Sequence, residues 1–443
     1  MYSNMTIPES EIHRILAESP TPGISVAVTG RERAFHVASY GYAQLESQTA
    51  LTPEHLIQVG SIGKTFTALA LMQLLDEGRF DPGLPVIEYL PWLDIPNGGL
   101  PVTGRHLLTH TAGIVMGTEE GISAQAEAWA LRHLHANPPG IGFHYSNTGY
   151  KILGLLLEAL DDRPYAGIIR SRILDPLGMT ATIPVITNAD RSRYAEGYIP
   201  FPDDEPVPVP FTDKSRLAPV PWLEMNTGDG CLASTPGDMA IFARALLAGF
   251  APLIRPETFE QMRVPDGYGY ALNTLKGGSR LGHAGSMLGH FASLIVQPDA
   301  GLGAVVLMNG PGKPEMLANR LLDLVTGAPA GAEGEAPEPA AEARQKGDRT
   351  GDPHDWDALT GVYRTHNPWY SHFRIAVEDG RLRFLDAFHE EEPIIELEPG
   401  LFRVGGESSP ERLHFEMWID GIPHRAVYSG AAYYRTSAKR SGT

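Results

Sequence analysis

Val59-Gly60-Ser61-Ile62-Gly63-Lys64-Thr65-Phe66, running on as Thr67-Ala68-Leu69-Ala70-Leu71-Met72-Gln73-Leu74-Leu75, is the densest signal in the chain. Ile62, Phe66, Leu69 and Gln73 recur three or four residues apart, the spacing of one helix face, so a helix begins near Ser61 and buries that face. Ser61 and Lys64 lie three apart on its same side, one turn from each other. The helix start also places Ser61 at the positive end of the dipole. A serine hydroxyl is a weak nucleophile until a base takes its proton, and a lysine that is desolvated or crowded by cations is such a base. Ser-x-x-Lys also recurs by chance as a helix-capping serine beside a solvated lysine, so its meaning depends on its company.

Two further stretches supply that company. Phe143-His144-Tyr145-Ser146-Asn147-Thr148-Gly149-Tyr150 follows the breaker Asn137-Pro138-Pro139-Gly140 and precedes an apolar helix over Ile152 to Leu160. Tyr145 and Asn147, a phenol and an amide two residues apart on a loop, are placed to aim into one cleft. Leu281-Gly282-His283-Ala284-Gly285-Ser286 reads as a strand whose glycines let a substrate backbone approach closely.

The order Ser-x-x-Lys, then Tyr-x-Asn, then a basic residue-x-Gly resembles the serine beta-lactamase and penicillin-binding protein superfamily, in the branch of class C beta-lactamases, D-aminopeptidases, DD-peptidases and related esterases. His106-Leu107-Leu108-Thr109-His110-Thr111-Ala112-Gly113 and Gly228-Asp229-Gly230-Cys231-Leu232-Ala233-Ser234-Thr235 are similar to stretches common there, and the resemblance covers roughly residues 10 to 328. It implies that Ser61 is the acylated nucleophile, Lys64 its general base and Tyr145 the proton shuttle to and from the leaving group. Asn147 would hold the substrate's amide or the Lys64 ammonium, and the backbone N–H groups of Ser61 and Ser286 would form the oxyanion hole. His283 and Gly285 would line the substrate site. His283 stands where many beta-lactamases carry the lysine of Lys-Thr-Gly, a departure that argues against beta-lactam hydrolysis. The implied activity is cleavage of an ester or a peptide bond, D-configured peptides included. Acyl transfer, as in penicillin-binding-protein-type thioesterases that cyclise peptides, and a non-catalytic binding role on the same fold stand as alternatives.

The 443 residues divide accordingly. Residues 329 to 352 (PAGAEGEAPEPAAEARQKGDRTGD) hold no aromatic or branched aliphatic residue and read as a flexible linker. Ahead of it, 1 to 328 mix strand-like Ile24, Val26 and Val28 with long helical stretches. Two late runs, Phe291 to Gln297 and Leu302 to Asn309, flank Pro298-Asp299-Ala300-Gly301 as a hairpin. The expected fold class is α/β (α+β): an antiparallel sheet flanked by helices, with a helical subdomain. Behind the linker, 353 to 443 alternate apolar and polar residues in Phe373–Val377, Arg381–Leu385 and Leu413–Ile419, with turns at Asp379-Gly380 and Asp420-Gly421, and read as a small antiparallel β-barrel. Its opening, Asp357 to Arg364, resembles the lipocalin-like barrel appended to some members of the same branch, with Trp369, Tyr370 and Phe373 read as core. Such a barrel can abut the catalytic cleft.

Against 53 Asp and Glu stand 35 Lys and Arg, a formal net charge of −18, and no basic cluster appears. Nucleic acid and membrane are therefore not expected partners; a small-molecule or peptide acyl substrate is. The oligomeric state is left open. The single Cys231 excludes an intramolecular disulfide and is expected to be buried. His106 and His110, four apart on a possible helix, lack the Glu and third ligand of a zinc site, so no metal or cofactor is expected. The start carries no basic stretch followed by an apolar run, and a cytoplasmic protein is expected.

Overall fold

Strand β1 (Gly23–Gly30) is buried along its whole length. Ile24, Val26 and Val28 enter one apolar cluster and Ala27 the other, because helices cover both faces of the sheet. The alternation that marks a half-exposed strand is replaced by a nearly continuous apolar run. The computed structural model describes residues 9–114, 123–133, 136–200, 217–264, 267–275, 278–327, 356–365, 372–378, 380–386, 391–406, 409, 411–429 and 431–436. The expected linker and the residues Trp369 and Tyr370 lie outside these.

With β2 (Ala34–Gln44), β3 (Thr49–Ala50), β4 (Gly267–Tyr268), β5 (Asn273–Leu275), β6 (Arg280–Met287), β7 (His290–Gln297) and β8 (Leu302–Met308), β1 forms an eight-stranded antiparallel sheet in the order β3-β2-β1-β8-β7-β6-β5-β4. The hairpin read from sequence is β7 and β8. Gln297 pairs with Leu302 across Pro298–Gly301, and Gly301 takes the left-handed φ of +64° that closes the turn. Helices α1 (Glu9–Glu18) and, near the end of the domain, Pro314–Thr326 pack their apolar sides on the Val26 face.

The opposite face carries the larger core. Here the helix announced by Ser61-x-x-Lys64 departs from expectation. A 3₁₀ turn, Gly60–Ile62, leads into α2 (Gly63–Asp76), and every residue from Gly63 to Leu74 is buried, not one face of it. The reason is position: α2 runs between the sheet-side helix α4 (Pro236–Leu247) and the helical subdomain, whose main helix is α3 (Asn147–Asp161). A helix apolar all round belongs in the interior. α3 also starts five residues earlier than the apolar run predicts, at Asn147, because the Ser146 side chain accepts the Gly149 N–H and caps it.

The tail is a closed eight-stranded barrel of sequential antiparallel neighbours, from Gly361–Arg364 to Ala431–Arg435, shut where Tyr363 pairs with Arg435. Closure removes free edges. Tyr363, Phe373, Phe384, Phe402, Leu413 and Tyr433 fill it, while Met417, Trp418 and Ile419 at the far end of one hairpin are half exposed. Among the described residues no helix is long and apolar enough to cross a membrane.

Phe66 of α2 stacks on Phe242 of α4 with ring centroids 3.9 Å apart, both fully buried. Phe66→Ala should cost about 3–5 kcal/mol, read as a lowered denaturant midpoint with the slope of the transition kept. A loss under about 1 kcal/mol would contradict the enclosed position of α2.

Candidate active site

The three sequence stretches meet. Gly60 takes φ +54°, and a Cβ on it would lie 2.6 Å from the backbone nitrogen of Ser286; a Cβ on Gly285 would lie 1.9 Å from the carbonyl oxygen of Val59 and 3.0 Å from the Ser61 nitrogen. Only glycine at both points lets β6 come this close to the turn before α2. The approach brings the backbone amides of Ser61 and Ser286 together. Past Gly282, β6 has no outer strand beside it among the described residues, since β5 pairs with Arg280, Leu281 and Gly282. Along this free stretch Ala284 and Ser286 are exposed while His283 and Gly285 are buried.

Lys64 is fully buried, and its Nζ has three acceptors: Ser61 Oγ at 3.0 Å, Asn147 Oδ1 at 2.6 Å and the carbonyl oxygen of Asp229 at 2.6 Å. The last was not foreseen. Gly228-Asp229-Gly230 forms a turn beneath the site, and its glycines are what let it pass: a Cβ on Gly230 would meet Gly60 at 2.9 Å and one on Gly228 would meet the Tyr150 carbonyl at 2.7 Å. The amide of Asn147 and a carbonyl dipole thus occupy two of the amine's directions, and the third points at Ser61.

The Tyr145 ring lies with its centroid 4.9 Å from Lys64 Nζ. Its loop is held from beneath by His110. The His110 carbonyl accepts the His144 N–H at 2.8 Å, and its Nδ1 accepts the Ser146 N–H at 2.9 Å, so the peptides on both sides of Tyr145 are tied to one residue. The two rings stack, with centroids 4.3 Å apart. To do this His110 leaves helical geometry, with φ +54°; the helix carrying His106 ends at Leu108. The two histidines four apart, read from sequence as no metal site, are therefore split, His106 closing a capping box with Thr103 and His110 bracing the Tyr145 loop. Among the described residues no three His, Cys, Asp or Glu side chains gather around a common point. On the outer side, His144 Nε2 lies 3.4 Å from Glu411 Oε1 of the barrel.

His283 is not open to solvent. Its Nδ1 donates to the Ala284 carbonyl, its Nε2 meets the Tyr268 hydroxyl at 2.5 Å, and burial pushes its pKa down to about 4. Burial takes His144 and His290 to about 4 as well, and His110 well below its ordinary value. The buried thiol of Cys231 is pushed up to about 12 and stays protonated.

These histidines set a pH dependence. Each is neutral in the fold but takes up a proton in the unfolded chain below about pH 6.5. Their stabilising contribution is whole above that pH and is lost as pH falls toward 4. The denaturant midpoint should decline across pH 6.5 to 4, above the range where the paired carboxylates Glu77, Asp76 and Asp161 become protonated. A flat midpoint from pH 7 to 4.5 would refute this.

Comparison with known proteins agrees with this arrangement. A penicillin-binding protein 4 from Amycolatopsis lactamdurans is 28% identical over 321 residues, covering 66% of this chain and 82% of the relative. An octameric penicillin-binding protein homologue from Pyrococcus abyssi superposes with a TM-score of 0.65 at 26% identity, over 96% of this chain and 98% of that one. A D-amino acid amidase from Ochrobactrum anthropi, complexed with L-phenylalanine amide, superposes at 0.57 and 25% identity, over 70% and 94%. The family model described as beta-lactamase matches residues 10–328, and the chain belongs to that family.

Proposed function

We propose that this protein is a serine hydrolase that cleaves an ester or amide bond, amides of D-configured amino acids among its substrates, through an acyl-Ser61 intermediate. One observation carries the reading: Lys64 Nζ is buried 3.0 Å from Ser61 Oγ with its other two directions taken by uncharged acceptors. A neutral amine donates two N–H bonds, here to Asn147 Oδ1 and the Asp229 carbonyl, and turns its lone pair to the Ser61 hydroxyl. The amine takes the hydroxyl proton as Oγ attacks the substrate carbonyl. The carbonyl oxygen gains charge between the amides of Ser61 and Ser286, where each donor lowers the barrier by roughly 3 kcal/mol. Tyr145 gives its proton to the departing nitrogen or oxygen, and the Lys64 ammonium restores it. Water then repeats the sequence on the acyl-enzyme. The D-amino acid amidase superposition and the family membership support an amide or ester substrate.

His283 bears on which substrate. A lysine in its place would offer a permanent cation to a carboxylate beside the scissile bond. A neutral imidazole with both nitrogens engaged offers far less Coulomb attraction. Substrates without a free carboxylate there are favoured.

Ser61→Ala should fold and lose activity by several orders of magnitude, and a fluorophosphonate should add once to the wild type, on Ser61, by intact-mass and peptide mapping. A labelled residue elsewhere, or an active Ser61→Ala protein, overturns the mechanism. For His283, nitrocefin and a para-nitrophenyl ester are compared. Wild-type kcat/KM for nitrocefin should fall below about 10⁴ M⁻¹s⁻¹, under the usual enzymatic range, and His283→Lys should raise the nitrocefin-to-ester ratio. Efficient nitrocefin turnover by the wild type would show that a cation at this position is not needed.

A further inference from the structure

A cavity of about 420 Å³ lies beyond the end of β6, a size that holds a small ligand. Met287, the residue after the amide donor Ser286, forms part of its wall, and so does Gln58, three residues before Ser61. Both oxyanion donors thus have a close chain neighbour in its lining. Met225, Leu223 and the Trp222 ring make one side of it apolar.

Gln58 stands on the short strand Ile57–Gln58, whose backbone pairs with Ser234 and Ala233. Its residue is only 8% exposed, and among the described residues its side-chain amide has no hydrogen-bond partner. The charged groups of the lining are engaged: Glu196 Oε2 accepts the Gln44 amide at 3.0 Å, and the Arg191 guanidinium lies over the Trp222 ring, 5.3 Å from its centre. A buried amide left unmet is costly. Its carbonyl accepts and its NH₂ donates, so the group that satisfies it best must also do both. A peptide or N-acyl amide does; an ester oxygen only accepts, and an ammonium only donates.

The placement of Tyr145 decides which part of a substrate reaches the cavity. In the proposed reaction the leaving group departs toward Tyr145. That ring packs on Tyr268 with centroids 5.9 Å apart, and Tyr268 meets His283, at one end of the free stretch of β6. Met287 closes the other end, four residues on, which is about 13 Å along an extended strand. The carbonyl is held between them, at the amides of Ser61 and Ser286. With the leaving group at the His283 end, the acyl portion runs toward Met287.

We propose that this cavity receives the acyl portion of the substrate and that Gln58 is its specificity-determining residue, reading the amide of an N-acylated or peptidyl amino acid whose apolar side chain packs on Met225, Met287 and Trp222. The inference rests on the acyl-Ser61 reading and adds to it the class of acyl group.

Three para-nitroanilides of nearly one shape test it on the wild type: that of N-acetyl-D-leucine, that of the O-acetyl hydroxy acid, which lacks the N–H, and that of D-leucine with its free ammonium. The first should exceed each of the others in kcat/KM by about tenfold or more, as expected where a site's buried polar groups are met by one substrate and not by its analogue. Gln58→Leu keeps the bulk of the side chain and gives up its hydrogen bonds, and it should lower the N-acetyl to O-acetyl ratio by about tenfold. A wild type that turns over either analogue as well as the N-acetyl anilide overturns the proposal, as does one that cleaves a para-nitrophenyl ester but not the N-acetyl anilide. A Gln58→Leu protein that keeps the wild-type ratio overturns it too. The wild-type comparison depends on no variant folding. The two readings fail separately. Fluorophosphonate labelling at a residue other than Ser61 removes the acyl-enzyme and this assignment with it. Labelling on Ser61 without a preference for the N-acetyl anilide leaves the hydrolase reading standing and ends only the role of Gln58 and its cavity.

Discussion

Burying a lysine amine away from water is unfavourable unless its hydrogen-bonding directions are met, and the site is organised around meeting them for Lys64. α2 fixes the stem, α3 brings Asn147 Oδ1, the Gly228–Gly230 turn brings a carbonyl, and Ser61 takes the remaining direction. Each partner comes from a different segment, so the position of the amine reports the packing of the whole domain. That explains why the contacts around it are so often glycine. Gly60, Gly228, Gly230 and Gly285 stand where backbone must meet backbone, and any side chain there would push a partner out of reach.

The fold was legible where a signal is local. Ser61-x-x-Lys64, Tyr145-x-Asn147 and His283-x-Gly285 are short spacings whose chemistry is read directly, and β7 with β8 is a hairpin whose turn residues announce it. What escaped depended on atoms without a sequence signature. The Asp229 carbonyl belongs to the backbone, and nothing about an Asp side chain predicts it. His110 was visible as one of two histidines four apart and as part of a stretch common in the family, neither of which assigns it a contact. Its role needs a left-handed φ that ends the helix at Leu108, which the spacing alone would have continued. Tyr268 is a single tyrosine in a Gly-Tyr-Gly-Tyr run, with no periodicity to single it out. The all-round burial of α2 is hidden for a related reason: the spacing of Ile62, Phe66, Leu69 and Gln73 marks one face, while Ala68, Leu71 and Met72 on the other sides are the better clue to an interior helix.

The acceptors of Lys64 also share a property that bears on its chemistry. Asn147 Oδ1 and the Asp229 carbonyl are dipoles, and among the described residues Lys64 forms no ion pair. A carboxylate in either place would hold the amine in its charged form and leave no lone pair for Ser61. The same restraint extends outward. Burial pushes the pKa values of His110, His144 and His283 down and disfavours a second cation beside Lys64. Tyr150 and Tyr268 are held as phenols by the same burial. Around Tyr145 the packed rings of His110 and Tyr268 are thus groups whose charged forms burial disfavours. In the proposed mechanism Lys64 and Tyr145 carry the proton between Ser61 and the leaving group, and the neighbouring histidines and tyrosines, whose charged forms burial disfavours, take no part in it.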